Sequence, residues 1–125
     1  MALPPKLEKE LEELRRERPV TIVENGNTIF VIFPAFPLGD GFKVLTADLL
    51  LQVPRSYPDA GLDMFWLEPA VILASGQCPL NADLLETYVG RQWRRFSWHR
   101  RGWNASVDNL HGHLEFVRRR LRERR

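Results

Sequence analysis

The chain has few of the residues that disulfides and metal sites require. Its 125 residues include one cysteine, Cys78, and three histidines. An internal disulfide is therefore excluded, a reducing cytoplasmic compartment is expected, and a zinc site is not. Proline or charge interrupts every apolar run before it reaches membrane-spanning length, and the first residues lack a secretory signal pattern. We expect one globular domain over residues 1–125, without membrane association, metal ion or cofactor.

Negative charge is scarce in the last part of the chain. From Arg91 onward eleven basic residues, all arginine, stand against three acidic ones, whereas the first ninety residues are acidic overall. Such a tail can bind nucleic acid or an acidic protein. No aromatic residue alternates with the arginines of Arg118–Arg125 to stack on bases. We therefore favour a solvated helix end, where arginine complements the negative pole of the helix dipole.

The pattern ahead of Cys78 predicts a helix followed by strands. Leucines at i, i+4 and i+7 mark one face of a helix from about Lys6 to Arg18, and Pro19 ends it. Apolar runs then predict four antiparallel strands, with an Asn-Gly turn between the first two. These strands cover Val20–Val23, Thr28–Phe33, Lys43–Val53 and Met64–Leu67. A helix followed by a meander, instead of alternating strands and helices, indicates the α+β class.

The segment after Cys78 is predicted to be mainly helical. Apolar positions within Asn81–Val89 indicate a short helix, and Arg91–Trp103 is a basic connector that contains three tryptophans. Apolar residues at three- and four-residue steps predict a final helix over Ser106–Arg122, with Ser106 as its N-cap and Val107 in the core. We expect this helix and the first one to share the core on one face of the sheet.

Three stretches carry a resemblance to a known family. Tyr57-Pro-Asp, followed by Asp63-Met-Phe-Trp66, is similar to that family's Tyr-Pro turn and the strand after it. Gly76-Gln-Cys-Pro-Leu80 resembles the glycine, cysteine and leucine around its active site. The most specific stretch is Trp93-Arg-Arg-Phe-Ser-Trp-His99 with Gly102-Trp103. Over about residues 6–121 the chain resembles the prokaryotic ubiquitin-conjugating-enzyme-like family E.

The resemblance implies a ubiquitin-conjugating-enzyme-like fold with an N-terminal helix, a four-stranded antiparallel meander and C-terminal helices. It also implies a bacterial protein that works with a ubiquitin-like protein and an activating, adenylating enzyme, in a role such as antiphage defence. It places a thioester-forming nucleophile at Cys78. The His-Pro-Asn tripeptide of the eukaryotic enzymes, whose asparagine stabilises the oxyanion, is absent. Asn81, three residues after Cys78, is a candidate substitute.

His99 is the candidate base. It lies in the connector that we expect near the cysteine loop, where an imidazole can deprotonate an incoming amine or donate to the oxyanion. A histidine that caps the connector through a backbone hydrogen bond is the alternative, as a buried, inert thiol is for Cys78. His111 and His113 point to different sides of a helix and do not suggest a metal pair.

The resemblance implies two alternative functions, and the charge pattern adds a third. The first is a carrier that takes a ubiquitin-like protein onto Cys78 as a thioester and transfers it to an amine. The second is a non-catalytic scaffold of the same fold that holds a ubiquitin-like protein against its activating enzyme; the missing tripeptide favours it. The third, a nucleic-acid-binding module that uses the arginine tail, requires binding that weakens strongly with salt, and we weight it least.

Overall fold

A computed structural model describes residues 3–125; Met1 and Ala2, which the single-domain prediction includes, lie outside the described residues. Two helices flank six strands. In chain order they are α1 (Pro5–Arg15), β1 (Thr21–Asn25), β2 (Thr28–Pro37), β3 (Thr46–Pro54), β4 (Phe65–Glu68), β5 (Leu84–Tyr88), β6 (Arg91–Phe96) and α2 (Leu110–Arg122). The α+β class and the N-terminal helix are confirmed.

Both helices bury the apolar stripes that the sequence predicts. Leu7, Leu11 and Leu14 of α1 lie in the same buried cluster as Leu110 and Leu114 of α2, because residues three and four apart share one face of a helix. The predicted start of the last helix is wrong. It begins four residues later than Ser106, at Leu110, and its N-cap is Asn109, whose side chain accepts a hydrogen bond from the Gly112 amide at 2.8 Å.

Val107 is consequently not a core residue. It lies ahead of α2, in a turn where its amide bonds to the Asn104 carbonyl at 3.0 Å, and 69% of its surface is exposed. Polar groups between Asn104 and Asp108 form hydrogen bonds with one another; Asp108, for example, accepts one from the Asn104 amide at 2.7 Å. Short polar side chains of this kind compete with the helix for backbone partners and so delay its start.

The sheet has six antiparallel strands in the order β1-β2-β3-β4-β6-β5, so the prediction of four strands is wrong. The segment predicted as a helix over Asn81–Val89 contains β5, and the first half of the predicted connector is β6. These two strands form a hairpin in which Tyr88 pairs with Arg91 and Leu84 pairs with Arg95. The apolar residues of this segment fall at helix-like intervals, and the sequence therefore did not indicate an edge strand. These residues are Leu84, Leu85, Tyr88 and Val89.

The curled sheet separates two apolar cores. Alternate residues of β2, such as Val31 and Phe33, point into the main core beneath the two helices. The residues between them point to a smaller core on the other face, which contains Phe30, Ile32, Leu50, Trp66 and Trp93. The β5–β6 hairpin therefore carries Trp93 to one face and Phe96 to the other. Neither helix of the described chain is long and apolar enough to cross a membrane.

Candidate active site

The loop that carries Cys78 joins a β-bridge at Leu73 to strand β5. Its first part is held by the Leu73 amide, which bonds to the Gln77 carbonyl at 2.9 Å, and by Gly76, whose amide bonds to the Leu73 carbonyl at 2.8 Å. Gly76 adopts a φ of 92°, a conformation that an L residue rarely takes. Ala82, only 1% exposed, anchors the far end in the main core. The loop is thus fixed on both sides of Cys78.

Cys78 is exposed, and the alternative of a buried, inert thiol does not describe it. Its Sγ atom lies 3.4 Å from the Ala82 carbonyl oxygen, to which the thiol can donate. The guanidinium of Arg94 lies 3.0 Å from the same sulfur and also donates to the Ala82 carbonyl at 2.5 Å. A positive group in contact with the sulfur of an exposed cysteine is a setting in which cysteine acts as a nucleophile.

Arg94 was not identified from the sequence as a site residue. It reaches the loop because β6 pairs with both β4 and β5, with Arg94 opposite Leu67 on one side and Leu85 on the other. Directly paired residues of an antiparallel ladder project their side chains to the same face. A signal for this contact would have required recognition of the β5–β6 hairpin, which places Arg94 on the face of Cys78.

His99 follows β6 and is exposed. Its Nδ1 atom lies 2.7 Å from Asp63 Oδ2, while the other oxygen of Asp63 accepts a hydrogen bond from the Arg100 amide at 2.8 Å. In the tautomer in which Nδ1 donates to Asp63, Nε2 is left as a proton acceptor. Asp63 is a second residue that the sequence did not single out for the site, and it fixes the orientation of the imidazole.

Asn81 lies on the rim of the same loop. It is exposed, has a φ of 58°, and its carbonyl oxygen accepts a hydrogen bond from the Ser97 amide at 2.8 Å. This bond connects the cysteine loop to the end of β6, two residues before His99. Among residues 3–125, no hydrogen bond joins the side chains of Cys78, Asn81 and His99 to one another. The structure thus pairs Cys78 with Arg94, and His99 with Asp63.

A buried polar contact holds the Tyr-Pro turn in place. The Tyr57 hydroxyl donates to Glu10 Oε1 at 2.5 Å, and Glu10 Oε2 accepts the Leu110 amide at 3.2 Å. Burial, together with the Glu10 carboxylate, raises the pKa of Tyr57 well above its usual value. Trp103 closes the turn by donating from Nε1 to the Pro58 carbonyl at 2.9 Å. The Glu10 carboxylate thus joins the Tyr-Pro turn, helix α1 and the start of α2.

The two remaining histidines have separate environments. His111 is exposed and lies 3.3 Å from Glu13. His113 is fully buried, and its Nε2 lies 2.9 Å from the Met64 carbonyl oxygen. Burial lowers the pKa of His113 to about 4, so that the ring is neutral and donates to that carbonyl. In the part of the chain that the structure covers, no three His, Cys, Asp or Glu side chains group as a metal site.

Comparison with known proteins identifies the family. The model of the family described as Prokaryotic E2 family E matches residues 3–124, nearly the whole chain. The searches of curated proteins and of solved structures found no match. Because the family model covers so much of the sequence, the chain belongs to this family, and the resemblance seen in the Tyr-Pro turn, the cysteine loop and the tryptophan-rich segment is confirmed.

Proposed function

We propose that this E2-like member of the prokaryotic family carries a ubiquitin-like protein as a thioester on Cys78 and transfers it to an amine. The observation that supports the proposal is an exposed cysteine, Cys78, whose sulfur lies 3.0 Å from the Arg94 guanidinium. The chemistry needs an accessible thiolate and a group that stabilises negative charge beside it. Cys78 lies on a loop that the core fixes at Leu73 and Ala82, and Arg94 reaches its sulfur from strand β6.

Loading is a thioester exchange. The Cys78 thiolate attacks the carbonyl carbon that joins the ubiquitin-like protein to a cysteine of its activating enzyme. The new carbon–sulfur bond forms to Sγ, the old one breaks, and the activating enzyme's thiolate leaves. Negative charge develops on the carbonyl oxygen in between, and Arg94 is placed to donate to it. In this role Arg94 replaces the asparagine of the absent His-Pro-Asn tripeptide, for which Asn81 stays the second candidate.

Discharge requires a base. The acceptor amine attacks the thioester carbon, its nitrogen forms the amide bond, and the Cys78 sulfur leaves as a thiolate. His99, oriented by Asp63, takes the proton that the amine releases. Since His99 makes no hydrogen bond to Cys78 in the described residues, we propose that it acts on the incoming amine and has no part in generating the thiolate.

A non-catalytic scaffold is the competing function. It is favoured by the missing tripeptide and by the separate hydrogen-bond partners of His99 and Cys78. In that case the same surface holds a ubiquitin-like protein against its activating enzyme without a covalent step. The two functions differ in one requirement, because a scaffold does not need the Cys78 sulfur.

Reconstituted conjugation distinguishes them. The protein is incubated with the cognate activating enzyme, ATP, the ubiquitin-like protein and an amine acceptor, and conjugates are measured over time. The carrier requires that Cys78→Ala abolish conjugation and that His99→Ala slow discharge more than loading. His111→Ala is the matched control, since His111 is also exposed and pairs with a carboxylate. Undiminished conjugation by Cys78→Ala would establish the scaffold and overturn the carrier.

A further inference from the structure

Strand β5 leaves one side of the sheet without a partner. It lies last in the strand order, bonded only to β6. Two of its residues, Leu84 and Leu85, are 47% and 44% exposed, and Leu80 in the preceding loop is 47% exposed. Folded proteins usually protect edge strands with charge, proline or a covering segment. An apolar edge that is left open is a template on which another extended chain can pair.

The geometry of the hairpin determines which backbone groups of β5 can bond to an added strand. Its two-residue turn, Val89-Gly90, has positive φ at both positions and closes on the Tyr88–Arg91 pair. In such a hairpin the closing pair exchanges hydrogen bonds, and every second pair after it does the same. The backbone groups of Leu85 and Thr87 therefore point outward. The Leu85 side chain lies on the face of Arg94, its direct partner in β6, and hence on the face of Cys78.

One arginine of β6 lacks an acidic partner. Of the three arginines in β6, Arg91 pairs with Asp48 and Glu68, and Arg95 pairs with Glu86. Arg94 has no carboxylate within ion-pair distance anywhere in residues 3–125, and its Nε atom is buried without a partner. A guanidinium without a carboxylate partner, beside an apolar edge, suits a chain that ends in a carboxylate or presents an activated carbonyl.

We infer that the outer edge of β5 binds the C-terminal tail of the ubiquitin-like protein as an added antiparallel strand. This inference rests on the proposed carrier function. The tail must end at Cys78, whose sulfur lies against the Ala82 carbonyl, two residues before β5 begins. A tail that ends there and follows β5 runs opposite to it. Backbone bonds to Leu85 and Thr87 give affinity, and the leucines select the alternate side chains of the tail.

A disulfide mimic tests the docking without any enzyme. A synthetic peptide of alternating valine and threonine that ends in Gly-Gly-Cys is joined to Cys78, and amide hydrogen exchange is followed by NMR. The Leu85 and Thr87 amides should exchange about tenfold more slowly, or slower still, than in the free protein. The same peptide with proline in place of valine should give no protection. Equal exchange in the free protein and in the valine adduct would overturn the inference.

Loading kinetics supply the second test. Thr87→Pro removes an outward amide, and Leu85→Lys places charge on the edge; both should slow loading about tenfold or more. Leu45→Lys is the matched control, because Leu45 is 76% exposed and lies in the loop before β3. Thermal unfolding and alkylation of Cys78 by iodoacetamide verify that each variant is folded with an accessible thiol.

The outcomes separate the two proposals. If the wild-type protein loads and both edge variants load equally fast, the edge inference is wrong and the carrier function stands. If the wild-type protein does not load at all, the carrier function fails, and the hydrogen exchange of the disulfide adduct alone decides whether β5 accepts an extended chain.

Discussion

The side chains of Glu10 and Tyr57, forty-seven residues apart in the sequence, meet in a buried hydrogen bond of 2.5 Å. Glu10 is 5% exposed and Tyr57 is 3% exposed. The second carboxylate oxygen of Glu10 accepts the amide of Leu110 at the N-terminus of α2, where a negative charge also complements the helix dipole. One carboxylate thus connects the first helix, the Tyr-Pro turn and the last helix.

Glu10→Ala should be strongly destabilising. It leaves the Tyr57 hydroxyl and the Leu110 amide buried without a partner, and an unsatisfied buried group costs about 1–3 kcal/mol. We expect the free energy of unfolding in urea to fall by about 2–4 kcal/mol. Glu12→Ala, an exposed position of the same helix, should change it by less than about 0.5 kcal/mol. Equal stability of the two variants would contradict the role given to Glu10.

Stability should decline in mild acid because of His113. Burial first, and then the nearby Arg100 guanidinium, lowers the pKa of His113 in the folded protein to about 4. In the unfolded chain the imidazole binds its proton near pH 6.5, so the unfolded state holds more protons between these values. The stability that the neutral His113 ring contributes is complete above about pH 6.5. It is lost as the pH falls toward 4, and the total loss is about 3 kcal/mol.

Urea unfolding at several pH values measures this loss. His113→Gln, which keeps a donor for the Met64 carbonyl, should show a shallower decline than the wild-type protein between pH 6.5 and 4. His111→Gln, at an exposed position, should decline as the wild-type protein does. Parallel curves for the wild-type protein and His113→Gln would show that the ring is not the source of the acid sensitivity.

Gly61 is required by the tryptophan that closes the Tyr-Pro turn. A Cβ atom at this position would lie 2.3 Å from the Trp103 ring, far inside van der Waals contact. Gly61→Ala should therefore lower the free energy of unfolding by about 1–3 kcal/mol through overpacking. Combining it with Trp103→Leu should cost less than the sum of the two single changes, because the smaller side chain relieves the clash. Strict additivity would count against this contact.

Removal of the last four residues should leave the fold intact. Arg122–Arg125 adds no buried apolar residue after Leu121. Its ion pair between Arg124 and Asp40, at 2.6 Å, is exposed, and the one between Glu123 and Arg120, at 3.0 Å, is partly buried. Exposed pairs contribute about 0–1 kcal/mol, so thermal unfolding should shift only slightly. A truncated chain that no longer folds would contradict this expectation.

The arginine tail should bind nucleic acid poorly. Four arginines of Arg118–Arg125 pair with acidic neighbours: Arg118 and Arg122 with Glu115, and Arg120 and Arg125 with Glu123. Fluorescence anisotropy with single- and double-stranded DNA and RNA at low salt should show no affinity for the full chain. Tight binding that falls steeply with added salt and is lost on truncation would instead support the nucleic-acid function.

Local sequence patterns predicted the helices, which bury one face, and the strand β2, which is a continuous apolar run. The leucines of α1 and α2 fill the main core at regular intervals, whereas successive apolar residues of β2 fill the two cores in turn. The β5–β6 hairpin was missed for a physical reason. Its Trp93 and Phe96 enter different cores, and the charges of Arg91 and Arg95 are neutralised only by carboxylates on other strands. Those partners are not apparent from local sequence.

The sequence likewise predicted part of the candidate site. Cys78 stands out because it is the one cysteine and lies in a loop with glycine and proline. Its contact with Arg94 depends on a hairpin that the periodicity concealed, and the partner of His99 is Asp63, thirty-six residues earlier in the chain. Sequence therefore identified the candidate nucleophile and base, whereas their charged partners are set by sheet topology.

The mass of the intact protein after loading shows whether Cys78 carries the ubiquitin-like protein. The protein is incubated with the cognate activating enzyme, ATP and the ubiquitin-like protein, and its mass is recorded before and after reductant. A thioester on Cys78 requires one added ubiquitin-like chain, minus one water, that reductant removes and that Cys78→Ala prevents. Cys78→Ser should give either a reductant-resistant ester or no adduct. An unmodified mass for the wild-type protein, while conjugation to the acceptor proceeds in the same mixture, would contradict the carrier function.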